Sequence, residues 1–197
     1  MNKIFLVLLV CLFVNSAQAQ TVEKNVEKIR NFYNDVGKKT GFIEQGGEQG
    51  NYGELVSNEL VINKYEHSWP AVGIYKSTYK FFYEFSKDDP NKDPNPYPDR
   101  LVKIVVDSQM STRRYHQEFL YDKTGALIFY FLKAEEDEDS AKETRIYFNL
   151  NKAIRFMENE KKRDSLTASD LKTVREVLKK SGQVKEIFTK SLTLPDA

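Results

Sequence analysis

The chain has a single cysteine among its 197 residues, Cys11, and it lies inside the first apolar run. An internal disulfide is therefore excluded, and the core alone must hold the fold together. Histidine is nearly as scarce, with only His67 and His116, which leaves few groups for general-base or zinc chemistry. The Gly-x-Ser-x-Gly nucleophile turn and the two-histidine zinc helix are both missing, as is any Asn-x-Ser/Thr glycosylation acceptor. A charge excess is missing too. The chain has 30 basic and 29 acidic side chains, and Lys3 is the one charged residue before Gln20, so the remainder is neutral. Nucleic-acid binders carry a basic excess or stripe, so a nucleic-acid partner is not expected.

What is present first is a leader. "MNKIFLVLLVCLFVNSAQAQ" has Lys3 as a positive start, an apolar run from Ile4 to Val14, and Ala17-Gln18-Ala19 as a small-x-small cleavage pattern. The run is shorter than the about 20 apolar residues that a membrane span needs. Residues 1–19 are thus read as a signal peptide and residues 20–197 as one domain, periplasmic or secreted. A lipoprotein anchored through Cys11 fits less well, because Val10 stands where a small residue is required and the apolar run continues past it. A chain of this length buries roughly 70% of its unfolded surface, enough for a disulfide-free core.

Three segments of different pattern follow. Val22, Val26, Ile29, Phe32, Tyr33 and Val36 recur at helical spacing and predict a helix over Thr21–Lys39, closed by Gly37 and Gly41 and followed by a glycine-rich loop. Between Glu54 and Glu158, aromatic and β-branched runs predict seven strands: Glu54–Asn63, Val72–Phe85, Leu101–Asp107, Tyr115–Tyr121, Ala126–Lys133, Glu143–Asn149 and Ala153–Glu158. Thr167 and Asp170 form a near capping box for a C-terminal helix, which Gly182 is placed to end before a second, shorter helix. The expected fold class is α+β: an antiparallel β-meander of about six or seven strands, with an N-terminal helix and C-terminal helices packed on one face.

The fifth strand carries apolar side chains on both faces. Simple alternation puts Leu127, Phe129 and Phe131 on one side and Ile128, Tyr130 and Leu132 on the other. A strand of this kind is central and covered on both sides. If the helices cover one face, a loop, a partner or a ligand must cover the other. The turn before it, "YDKTGALI", has Asp122 to start a type I turn and Gly125 for the left-handed position. An echo follows at "FNLNKAI", with Tyr121 matched to Phe148, Leu127 to Ile154 and Phe129 to Phe156, and with Asn151 taking the left-handed turn position. Two copies are too few for a solenoid and read as hairpins of one meander.

Four features compete as sites. Asp89, Asn91 and Asp93 alternate like the first ligands of a calcium loop, but Pro94 and Arg100 stand where glycine and glutamate are required. Glu135–Asp139 is a run of like charge that reads as a solvated loop. His116 shares a polar strand face with Arg114 and Glu118, and His67 sits in a turn. The aromatic residues Trp69, Tyr75, Tyr79, Tyr83, Tyr115 and Tyr130 make the better candidate binding surface, with Trp69, Tyr75, Tyr115, His116 and Tyr130 its binding residues, because large rings with polar tips suit glycan or protein contacts.

The leader, the lack of cysteine after it and the paired aromatic–polar turns between Leu101 and Glu158 resemble uncharacterised exported proteins of Gram-negative bacteria. The resemblance implies location and architecture and brings no activity. The expected function is a non-catalytic binding or interaction protein that takes a protein segment or a small apolar or glycan ligand, with no cofactor, no metal and no catalytic residues. The alternatives are a small secreted enzyme with a His/carboxylate cleft and an envelope protein that forms a homodimer through its sheet.

Overall fold

The computed structural model describes residues 2–46, 55–71, 73–84, 100–135 and 141–192, with side chains from residue 20 onward. All seven expected strands form, and the last five extend further than expected at one or both ends: β1 (Leu55–Ile62), β3 (Gly73–Glu84), β4 (Arg100–Met110), β5 (Arg113–Tyr121), β6 (Leu127–Glu135), β7 (Ala141–Asn149) and β8 (Lys152–Glu158). Two short strands raise the count among the described residues to nine: β2 (Ser68–Trp69), which pairs with the start of β3, and β9 (Lys161–Arg163), which pairs with β8. The sheet is antiparallel throughout, in the order β1-β3-β4-β5-β6-β7-β8-β9. Every neighbour in space is therefore a neighbour in sequence, apart from the step over β2.

The helices correct the expected layering. Helix α1 (Asn2–Glu44) runs unbroken through Gly37 and Gly41, and α2 (Ala168–Leu192) runs through Gly182 without dividing in two. A single glycine costs only about 1 kcal/mol in a helix, less than the packing on either side supplies. The two helices lie on opposite faces, not on one. Val26, Ile29, Val36 and Ile43 of α1 pack on Leu55, Phe82, Val102, Val105, Leu120, Phe129 and Tyr147. Val174, Val177, Val184 and Phe188 of α2 pack on the other face, among them on Phe81, Tyr83, Ile104, Phe119, Tyr121, Tyr130 and Ile146. Phe188 seats its ring 5.4 Å from Phe81 and 5.3 Å from Tyr83. The second face of β6 is thus covered by a helix over its inner half, and Tyr130 lies beneath α2.

The sheet owes its shape to three bulges at even intervals in the chain. Val102, Ile128 and Ile154 are each an extra residue opposite the junctions Phe82/Tyr83, Leu120/Tyr121 and Tyr147/Phe148. A bulge places two successive side chains on one side, here Val102 with Lys103, Ile128 with Phe129 and Ile154 with Arg155. The alternation expected for β6 therefore breaks: Ile128 joins Phe129 and Phe131 on the α1 face, and Leu127 joins Tyr130 and Leu132 on the α2 face. The echo shifts as well. Leu127 corresponds to Ala153 and Tyr130 to Phe156, since Leu127 faces Tyr121 and Ala153 faces Phe148.

The turns follow their side chains. Asp122 Oδ1 accepts from the backbone of Thr124 (2.8 Å) and Ala126 (3.0 Å), and Gly125 has φ 74° as expected. At the β7–β8 turn both Leu150 (φ 49°) and Asn151 (φ 61°) are left-handed. Thr167 and Asp170 cap α2 reciprocally, with Thr167 N–H donating to Asp170 (2.9 Å) and Asp170 N–H donating to Thr167 Oγ1 (3.2 Å). The acidic segment of residues 136–139 and the Asp89–Asp93 segment lie outside the described residues. No helix among the described residues is long and apolar enough to cross a membrane.

Candidate functional site

The helices leave open the end of the sheet where β4 turns into β5, and there the two faces differ in chemistry. On the α1 face the cross-strand row Thr78–Asp107–His116–Lys133–Glu143 is followed by Lys76–Gln109–Arg114–Glu135, both in register across β3 to β7. On the α2 face the rows are Tyr79–Val106–Gln117–Leu132 and Ser77–Ser108–Tyr115–Ala134, with Tyr75 beside Met110 at the rim. Strand alternation converts one sequence into a charged plate on one side and an aromatic plate on the other.

The aromatic plate is the floor of a groove of about 490 Å³, and Thr173, Glu176, Val177 and Lys180 of α2 form its wall. The volume lies within the range of small-molecule sites. Tyr130, almost fully buried, donates from its hydroxyl to Gln117 Oε1 at 3.3 Å. Tyr79 stacks on Phe81 at 6.4 Å, and Trp69 meets Tyr75 edge-on at 6.5 Å. Burial pushes the Tyr79 and Tyr130 hydroxyls above the usual phenol range, so both stay neutral hydrogen-bonding groups at physiological pH. Burial also pushes the Lys180 ammonium below the usual lysine range.

The charged plate has a cavity of its own, about 500 Å³, lined by Asp107, His116, Lys76, Arg114, Lys133 and Glu135 among others. Its charges are largely paired with one another, although Glu118 Oε2 is buried without a hydrogen-bond partner among the described residues. His116 Nδ1 lies 2.6 Å from Asp107 Oδ1, and Nε2 lies 3.1 Å from Glu118 Oε1. Glu118 in turn pairs with Lys103 Nζ at 3.0 Å, and that ammonium lies 5.1 Å from the Tyr33 ring of α1. Hydrogen bonds to Asp107 and then Glu118 raise His116 to about 9. Burial alone would raise Glu118, but the His116 hydrogen bond and the Lys103 charge outweigh it and hold the carboxyl at about 2. His116 is therefore an imidazolium at neutral pH with both nitrogens engaged, and it has no lone pair with which to act as a base. His67 is exposed, and Asn63 fixes its backbone from both sides. Among the described residues, no group of three or more His, Cys, Asp or Glu side chains could hold a metal ion.

Of the residues singled out from sequence, Tyr75, Tyr115 and Tyr130 line one groove and Trp69 stands at its rim. His116 is separated from them; it shares strand β5 with Tyr115 but points to the opposite face. Tyr79, one of the wider set of sheet aromatics, lines the same groove. The groove also contains residues with no aromatic signal: Gln117 has the same parity as Tyr115, so alternation could have found it. Lys180 and Glu176 needed the docking of α2, which leaves no local signal. No family model, curated protein or solved structure matches the chain.

Proposed function

We propose that this is an exported, non-catalytic binding protein whose ligand lies in the tyrosine-floored groove under α2. One observation carries the reading: the sheet end left open by the helices is charged and self-paired on one face but aromatic on the other. A charged plate is solvated at little cost, whereas exposed Met110 and half-buried Tyr75, Tyr79 and Tyr115 gain by being covered. The groove offers flat apolar rings with polar tips, the combination that holds an amphipathic ligand. Its polar groups are hydroxyls, the Gln109 and Gln117 amides, Glu176 and Lys180, and among the described residues no hydrogen bond joins the Glu176 carboxylate to a hydroxyl of the groove.

The test is binding of an uncharged apolar fluorophore such as Nile red to the native protein. The reading expects saturable binding with enhanced emission, lost in Tyr79→Ala and Tyr115→Ala variants whose circular dichroism is unchanged. Equal binding by wild type and both variants would refute it. Export through cleavage after Ala19 belongs to the same proposal. Among the described side chains of α1, Val22 packs on the sheet and Glu23 pairs with Arg155, and cleavage after Ala19 leaves both contacts intact. The amino-terminal sequence of protein recovered from outside the cytoplasm checks it, with Gln20 expected as the first residue.

A further inference from the structure

The groove contains hydrogen-bond donors that the protein itself does not use. Gln117 is 5% exposed and accepts from Tyr130 through Oε1, and its amide –NH₂ has no acceptor among the described residues. Lys180, on the α2 wall, has neither a carboxylate partner nor a hydrogen-bond acceptor among the described residues. The nearest acid on its own helix face, Glu176 one turn earlier, is exposed and makes no ion pair with it. A half-buried ammonium is costly to leave unmatched, and the Gln117 amide –NH₂, which is not fully enclosed, is available to a ligand in the groove. Elsewhere the chain pairs its enclosed cations closely: Lys103 with Glu118, Arg155 with Asp164 and Glu23, Arg163 with Asp170. Lys180 departs from that rule in a cavity whose floor is aromatic.

Resting on the binding function proposed above, we propose that the ligand is an anionic amphiphile. Its flat or chain-like apolar body covers Tyr79, Tyr115, Val106 and Leu132, and its carboxylate or similar oxyanion is received by Lys180 and the Gln117 amide. A charged acceptor matches an ammonium better than a neutral one does, because charge-assisted hydrogen bonds are about twice as strong as neutral ones. The apolar body supplies affinity and the anion fixes orientation.

The experiment compares naphthalene-2-carboxylate with its uncharged amide, naphthalene-2-carboxamide, by isothermal titration calorimetry on the purified protein at pH 7. The carboxylate is expected to bind about tenfold more tightly than the amide, the effect of one charge-assisted contact. Lys180→Met should remove that preference with little change in amide binding, and Lys180→Arg should keep most of it. A melting temperature for each variant within a few degrees of wild type shows that the change is local. Equal affinity of the two probes for wild type, or an unchanged preference in Lys180→Met, overturns the anion inference and leaves the groove reading standing. Binding of neither probe, with no uptake of the neutral fluorophore, overturns both.

Discussion

Raising the pH from 6 to 9.5 should destabilise this protein, and His116 is the reason. Its folded-state value of about 9 lies above the ordinary 6.5, set by Asp107 on one nitrogen and Glu118 on the other. A raised value means that the folded state holds the proton more tightly than the unfolded state. The associated stability is fully present below pH 6.5 and is lost as pH rises through about 9. At about 1.36 kcal/mol per pH unit the unscreened linkage is about 3 kcal/mol. The ring is 37% exposed, and solvent screening reduces this by about half, to about 1–2 kcal/mol. Glu118 works in the opposite sense: its value of about 2 contributes stability above pH 4.5 that is lost as pH falls through 2. The plateau set by this pair lies between about pH 4.5 and 6.5. Lys103, Lys133 and Tyr33 also face the network, so wild type must be compared with His116→Gln in the same buffers. Urea denaturation followed by circular dichroism at pH 6 and 9.5 measures the effect, with wild type expected to lose about 1–2 kcal/mol more than the variant. The same loss in both proteins would refute the account of a histidine locked as an imidazolium.

Other perturbations follow from single contacts. Leu150 is exposed and left-handed at the β7–β8 turn, so Leu150→Asn should stabilise by about 1 kcal/mol in urea denaturation, since asparagine tolerates that backbone far better than leucine. Gly125→Ala should destabilise by about 1 kcal/mol or more in the same assay, because φ is 74° and the new methyl would lie 3.3 Å from Lys185 Nζ. Arg155 is 1% exposed and ties Glu23 of α1 to Asp164 after β9. Both carboxylates can be rehydrated, so Arg155→Met should cost only about 1–2 kcal/mol, with hydrogen exchange rising in residues 20–30 of α1. Tyr130→Phe strands the Gln117 carbonyl under α2 and should cost about 1 kcal/mol by thermal melting.

Much of the architecture was legible because it is written in periods. Val22 to Val36 repeat at helical spacing, and Tyr115 to Phe131 alternate around a turn that Asp122 and Gly125 specify by their own chemistry. The α2 cap at Thr167 and Asp170 was equally local, requiring only two side chains three residues apart. Local rules failed where two elements meet. Gly37, Gly41 and Gly182 look like helix ends in sequence, yet packing on the sheet carries both helices through them. The short β2 and β9 have no hydrophobic pattern to announce them and exist because β3 and β8 offer free edges.

The candidate site divides in the same way. The amino-acid sequence by itself determined that Tyr75, Tyr79 and Tyr83 share a strand face, that Tyr115 and His116 point to opposite sides, and that no residue set for familiar catalysis is present. Which face each row joins is settled by the bulges at Val102, Ile128 and Ile154, since one extra residue reverses every side chain that follows. Only the tertiary structure decided that the helices part to opposite faces and that the β4–β5 end of the sheet stays exposed or half-buried. That arrangement brings Lys180 of α2 over tyrosines distant in sequence, and it locks His116 between two carboxylates from neighbouring strand positions. The physical reason is that a strand or helix period records what each residue faces, while the partner on that face is chosen by the packing of the whole sheet.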